Sequence, residues 1–126
     1  MIQQQTILKV SDNSGAKTVR CIRVLGGFRK KHAKLGDSII VSVQQLRNKS
    51  KSTSKVKKGD VYKALIIRTK IPYKKRDGSQ MWFSENSVVL INKQENPICT
   101  RIIGPLPKLF KKKKFQKFIS MSSGLI

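Results

Sequence analysis

The feature that most constrains this chain is a series of short apolar runs, each ended by a turn signal before it reaches helical length. TILKV, TVRCIRVL, SIIVSV, VYKALIIRT and SVVLI follow one another in that order, enriched in β-branched residues and separated by clusters of Gly, Asp, Asn and Ser. In residues 38–44, Ile39, Val41 and Val43 share one side of an extended chain and Ser42 and Gln44 the other, the period-two pattern of a half-buried strand. Residues 88–91 read VVLI without a polar break and predict a more deeply enclosed strand. Five short strands with no long helix between them predict a mainly β fold, a small five-stranded antiparallel β-barrel. Closure is favoured because it removes exposed edges, and an open sandwich is the second solution.

At 126 residues the chain fits one compact unit with appendages. The barrel is expected over residues 1–104. Within it, QQLRNKSKSTSKVKKGD at residues 44–60 has nothing large to bury and predicts a long basic hairpin arm projecting from the barrel; the bland alternative is a disordered surface loop. Period-two alternation stops at Gly104, and residues 105–126 are expected to form short helices packed on the barrel. Leu106, Leu109 and Phe110 make one apolar set at helical spacing, and Phe115, Phe118 and Ile119 make another. At about 100° per residue, one continuous helix would put Lys111 inside the apolar arc. Two short pieces separated around residues 112–114 fit better, each docking its apolar set.

Charge bounds the function. The chain has 28 Lys and Arg against six Asp and Glu, a formal charge of +22, which calls for a polyanionic partner. Asp12 in SDNSG, Asp37 in LGDS, Asp60 in KKGDV and Asp77 in RDGSQ each sit in a turn cluster, where a carboxylate closes the backbone. Only Glu85 and Glu95 remain, both in expected loops, so no paired-carboxylate hydrolase is in view. Cys21 and Cys99 stand apart on apolar segments and His32 is the single histidine. These cannot assemble a zinc site; the cysteines read as small buried side chains suited to a reducing compartment. No catalytic residue, cofactor or metal ligand is therefore assigned. No apolar run approaches the roughly 18 residues of a membrane span, and the N-terminus lacks the pattern of a secretory or import signal.

The basic residues cluster. GGFRKKHAKLGD at residues 26–37 supplies Arg29, Lys30, Lys31, His32 and Lys34, with Phe28 free to stack on a base or to plug the barrel mouth. The arm supplies Lys49, Lys51, Lys55, Lys57 and Lys58. KIPYKKR at residues 70–76 brings Tyr73 beside Lys74, Lys75 and Arg76, just after Arg68. Basic loops carrying single aromatics on a β scaffold suit RNA, where phosphates give affinity and rings give stacking. The rivals are a membrane-surface cationic protein using LPKLFKKKKFQKFISM, a targeting signal in the same run, and a free nucleic-acid module.

MIQQQTILKVSDNSGAK, RCIRVLGG, KVKKGDVYKALIIRTK, ALIIRTKIPYKKRDGSQMWFSENSVVL, TRIIGPLPK and KFQKFISM together resemble the universal large-subunit ribosomal protein L-fourteen family, collinear from Met1 to about Met121. The most specific block falls on Ala64, Leu65, Ile66, Ile67, Asp77, Gly78, Phe83, Asn86, Val89 and Leu90. The resemblance implies a five-stranded barrel with a projecting β-ribbon and a small C-terminal helical element. It implies binding to large-subunit ribosomal RNA and a place on the face that bridges to small-subunit ribosomal RNA. Proteins of the L-three and L-nineteen families and the ribosome silencing factor are the implied protein partners.

On this chain the resemblance makes Thr100, Arg101 and Lys117 intersubunit or factor-facing, and adds Lys17, Arg20 and Arg23 to the RNA-facing loop. The tip NKSKSTSK is longer and more polar than the compact turn of bacterial members. KLFKKKK carries no acid, so the mixed-charge interactions expected there are expected to be lost. Lysine outnumbers arginine 21 to 7, which suggests an AT-rich organellar gene, mitochondrial first, with plastid and bacterial origins open.

Overall fold

The structure is a computed structural model that describes residues 1–47 and 53–126. Strands β1 (Ile7–Val10), β2 (Ala16–Val24), β3 (Ser38–Leu46), β4 (Val61–Arg68) and β7 (Ser87–Ile91) close a barrel in the order β1-β2-β3-β4-β7. Two shorter strands, β5 (Tyr73–Lys74) and β6 (Gln80–Met81), form a separate antiparallel ribbon. The mainly β, five-stranded barrel expected from the sequence is borne out, with one parallel seam. β1 runs alongside β7 with Lys9 opposite Ser87 and Val10 opposite Val88, while every other neighbouring pair is antiparallel. Parity requires this: strands that alternate in direction around a closed ring of five must meet once with the same direction.

The barrel interior is filled by Leu8, Val10, Val19, Cys21, Ile39, Val41, Val43, Ala64, Ile66, Val88 and Leu90, all buried in one apolar cluster. Ile2 and Ala33 join it, pairing by Ile2 N to Ala33 O (3.2 Å) and Ala33 N to Ile2 O (2.7 Å). A second cluster takes the alternate residues of β4 and β7, namely Leu65, Ile67, Val89 and Ile91, and covers them with Ile102, Leu106, Phe110 and Phe118. This explains the unbroken apolar runs of β4 and β7: they are buried on both faces, one by the barrel interior and one by the C-terminal segment. Each fully buried Leu, Ile or Phe contributes about 1.5–3 kcal/mol relative to exposure.

The covering segment is broken as its phase requires. Lys108–Phe110 and Lys113–Phe115 are 3₁₀ turns, and α1 spans Gln116–Met121. Between the turns, Lys112 is extended at φ −128°, ψ 149°. Phe110 and Phe115 meet edge-on with centroids 4.9 Å apart. Leu106, Phe110 and Phe118 dock, but Leu109, expected to dock with them, is 46% exposed. A single 3₁₀ turn has about three residues per turn, and here it brings Phe110 to the barrel at Leu109's expense. The chain end returns to latch the segment, with Ile126 N donating to Leu106 O at 2.8 Å and Lys108 N to Ile126 O at 2.9 Å.

Of the hairpin arm expected at residues 44–60, the tip at residues 48–52 lies outside the described residues, and the structure describes its two limbs. β3 and β4 pair from Ser38 opposite Leu65 to Ser42 opposite Val61, and the two limbs stay joined one step further, Val43 N donating to Asp60 O (2.9 Å) and Gly59 N to Val43 O (2.8 Å); β3 continues to Leu46 against β2. The returning residues 53–60 are not a strand. Lys55 N donates to Ser14 O (3.0 Å), and Val56 is buried in the interior cluster. One apolar side chain in a polar stretch thus ties the return limb to the barrel end. Among the described residues, the two-stranded ribbon separate from the barrel is β5–β6. Lys49 and Lys51 lie outside the described residues.

Candidate nucleic-acid interface

The acidic residues serve the backbone before they serve any ligand. Asp12 is fully buried; its Oδ1 accepts from Ser14 N (2.9 Å) and from Ser14 Oγ, and its Oδ2 accepts from Leu90 N (3.0 Å). Asp37 Oδ2 accepts from Lys34 N (2.8 Å) and Lys30 Nζ (2.7 Å). Asp60 Oδ2 accepts from Lys57 N (3.2 Å) and from the Tyr62 hydroxyl (3.3 Å), and burial followed by that carboxylate raises the Tyr62 pKa. Asp77 Oδ1 accepts from Ser79 N (3.0 Å) and Ser79 Oγ (2.6 Å). All four turn carboxylates therefore do what their turn contexts predict.

Glu95 corrects one expectation. It lies 3.1 Å from Lys114 Nζ and 3.7 Å from Lys63 Nζ, and the hydrogen bond from Lys114 holds its carboxyl below the usual range. The acid-free KLFKKKK run thus keeps a mixed-charge contact, because its partner comes from the loop after β7 and not from within the helical segment.

With most acids so engaged, exposed cations dominate the surface. On β2, Lys17, Arg20 and Arg23 are exposed between buried Ala16, Val19, Cys21 and Val24, and a register shift between Cys21 and Arg23 turns Ile22 and Arg23 both outward, as a β-bulge does. In the following loop Arg29, Lys31, His32 and Lys34 are exposed, while Lys30 is half-buried against Asp37. Phe28 does not plug the barrel. It is 92% exposed with the Arg29 guanidinium 5.3 Å from its ring centroid, and Ile2 and Ala33 occupy the interior instead.

The β5–β6 ribbon was read from sequence only as a basic loop, although its Asp77-Gly78 pair is a strong hairpin signal. Tyr73 pairs with Met81 and Lys74 with Gln80, Lys75 N donates to Ser79 O at 2.8 Å, and Gly78 takes the left-handed φ of 88°. Lys74 and Arg76 are exposed and Lys75 is half-buried. Tyr73 is half-buried with its pKa raised by burial, whereas neighbouring Trp82, which the sequence reading missed, is 61% exposed. On the return limb Lys57 and Lys58 are exposed, and Lys55 Nζ donates to Ile98 O at 3.4 Å.

Arg68 stands apart from this set. Its Nη2 donates to Ser11 Oγ and to Ile103 O (2.9 Å), and burial lowers its pKa. It binds the end of β4 to the segment after Cys99. Gly104 makes room for it: a Cβ there would fall 2.0 Å from Arg68 Nη1.

Next to this joint, Asn13 gathers Thr100 and Arg101. Its Nδ2 donates to Thr100 Oγ (2.7 Å) and its Oδ1 accepts from Thr100 N (3.0 Å) and Arg101 N (3.3 Å). Lys117 Nζ donates to Asn96 Oδ1 at 2.7 Å, and the end of α1 reaches the same region through Ile102 N to Met121 O (3.0 Å). Cys21 and Cys99 are buried free thiols; burial pushes Cys21 up, and burial with the Asp12 charge pushes Cys99 up to about 11. Neither supplies a thiolate nucleophile at neutral pH. Among the described residues no group of three His, Cys, Asp or Glu could hold a metal ion, and no helix is long and apolar enough to cross a membrane.

A rigid barrel ringed by cations meets a family match over its whole length: the model for Ribosomal protein L14p/L23e matches residues 1–126. The chain belongs to the ribosomal protein L14p/L23e family. As an L14p/L23e protein it is a structural, non-enzymatic constituent of the large ribosomal subunit. Its place is the ribosome, in association with ribosomal RNA and other ribosomal proteins. For an L14p/L23e chain the arrangement makes chemical sense: the barrel fixes the positions of cations, and among the described residues neither cysteine supplies a thiolate and no three His, Cys, Asp or Glu gather to hold a metal.

Proposed function

We propose that this chain binds large-subunit ribosomal RNA directly, through the β2 cations Lys17, Arg20 and Arg23, the loop Arg29 to Lys34, the β5–β6 ribbon and the limb carrying Lys55, Lys57 and Lys58. The observation that carries this is the distribution of charge. A net +22 sits around a rigid barrel, while the four turn aspartates accept backbone N–H groups within their own turns. Exposed Phe28 and Trp82 supply rings on which unpaired bases stack, a contact that tolerates any sequence. Specificity comes from several loops meeting one folded RNA surface.

Thr100, Arg101 and Lys117 form the part of the protein that meets small-subunit ribosomal RNA in the intersubunit bridge and receives the ribosome silencing factor. L-three and L-nineteen family proteins are its neighbours. The lysine bias favours synthesis in a mitochondrion, with plastid and bacterial cytoplasm as alternatives. The membrane-surface reading loses its anchor, because Phe110 and Phe118 are buried on the barrel and an interfacial helix needs its apolar face available.

The test is binding to large-subunit ribosomal RNA across a potassium chloride series. Affinity is expected to fall steeply, each displaced phosphate counterion steepening the log–log slope by roughly 0.7–0.9; a flat dependence sinks the mechanism. For localisation, mass spectrometry of organellar ribosomes decides, and absence of the chain from mitochondrial large subunits of its source removes that assignment.

A further inference from the structure

Beside the Arg68 joint lies a cleft of about 360 Å³ whose charged lining is Lys9, Lys17, Arg47, Arg68 and Glu85, together with Gly104. We propose that this cleft is a binding site for a phosphodiester group of an RNA backbone, a proposal that rests on the RNA-binding function argued above. Lys9 and Arg47 belong to none of the basic loops, and only the fold brings them to Lys17 and Arg68.

Four cations face one carboxylate there, and Glu85 is already paired with Lys9. Both guanidiniums are held by the barrel itself. Arg47 Nη2 donates to Val10 O at 3.1 Å, and Arg68 Nη2 donates to Ser11 Oγ and Ile103 O. A guanidinium fixed through one nitrogen presents its remaining donors in a set plane, which reduces the ordering lost when it grips a phosphate.

Shape agrees with charge. The site tolerates no side chain at residue 104, since a Cβ would collide with Arg68 Nη1 at 2.0 Å, so the guanidinium can lie directly against backbone. An RNA strand fits better than an isolated acid, because exposed Arg20 and Arg23 continue along β2 from Lys17 and offer an extended polyanion its next contacts.

The test uses the full chain with Lys17→Gln and Arg47→Gln combined. A ribbon variant, Lys74→Gln with Arg76→Gln, is measured in parallel against large-subunit ribosomal RNA over a potassium chloride series. Thermal melting of each variant first establishes that the barrel is intact, and Lys9→Gln serves as a second cleft variant that leaves the Val10 contact untouched. The cleft pair is expected to weaken binding by about tenfold and to lower the log–log salt slope by roughly 0.9 per phosphate lost. Arg47→Lys alone is expected to keep the slope, since the charge remains.

If wild type shows a steep slope and both cleft variants match it, the cleft assignment is overturned while RNA binding stands. A flat wild-type slope overturns RNA binding and the cleft together. If the cleft variants bind naked RNA normally yet fail to join large subunits, the cleft holds carboxylates of a neighbouring protein and the phosphodiester assignment is overturned.

Discussion

Asp12 and Asp77 make the same local motif and have opposite consequences. Each accepts the N–H and the hydroxyl of a serine two residues on. Asp77 does so at the exposed tip of a two-stranded ribbon, and its hydrogen bonds stay within one turn. Asp12 is fully buried and its second oxygen takes Leu90 N on β7, while neighbouring Asn13 holds Thr100 and Arg101. The lesson is that an Asx turn is cheap as local geometry and becomes structural when its spare oxygen reaches another element.

The sharpest way to break this comparison is Asp12→Ala. It leaves the buried N–H groups of Ser14 and Leu90 without their acceptor, at about 1–3 kcal/mol each, so a loss of about 4 kcal/mol is expected in urea denaturation. A loss under about 1 kcal/mol would place Asp12 on a par with an ordinary surface turn. Gly104→Ala attacks the same corner from its other side. Residue 104 has φ 88° and no room beside Arg68; backbone strain of about 1 kcal/mol plus displacement of the guanidinium predicts a loss of about 2–3 kcal/mol.

Asp77→Ala is expected to leave the melting midpoint of the barrel unmoved while hydrogen exchange at Gly78 and Ser79 accelerates; a fall in the global midpoint would show the ribbon coupled to the barrel. The smallest effect is acid titration of the ribbon. Hydrogen bonds from Ser79 hold the Asp77 carboxyl below its ordinary value, so its contribution is present above that ordinary value and is lost as pH falls through the lowered one. The Ser79 amide resonance should therefore titrate with a midpoint below about 3.9. A midpoint at or above it would mean that the turn's hydrogen bonds do not persist in solution.

The same contrast separates what the sequence made legible from what it hid. β3 was readable because Ile39, Val41 and Val43 alternate with Ser42 and Gln44. The runs ALII and VVLI carried a further signal, since an unbroken apolar strand needs a cover on each face, and the C-terminal Phe110 and Phe118 provide one of them. The phase conflict at Lys111 foretold the break between the two helical pieces. Hidden were contacts that depend on which distant residues meet. Val56 plugs the barrel end from a stretch that otherwise reads as solvent, and Leu109 yields its expected place to Phe110. Lys9, Arg47 and Arg68 converge from three strands or strand ends, which no linear spacing records. The β5–β6 ribbon was legible in Asp77-Gly78, but charge in KIPYKKR outweighed it.

The parallel seam between β1 and β7 carries a consequence for biogenesis. The two staves that close the barrel come from opposite ends of its sequence, so on a translating ribosome the barrel cannot close until β7 has left the exit tunnel. Folding is thereby loaded with long-range contacts, which slow it, and β1 lacks its β7 neighbour until closure. Assembly onto the subunit and closure of the barrel are then expected to compete on one clock, and a time-resolved exchange experiment on β1 amides, with and without ribosomal RNA, would read it.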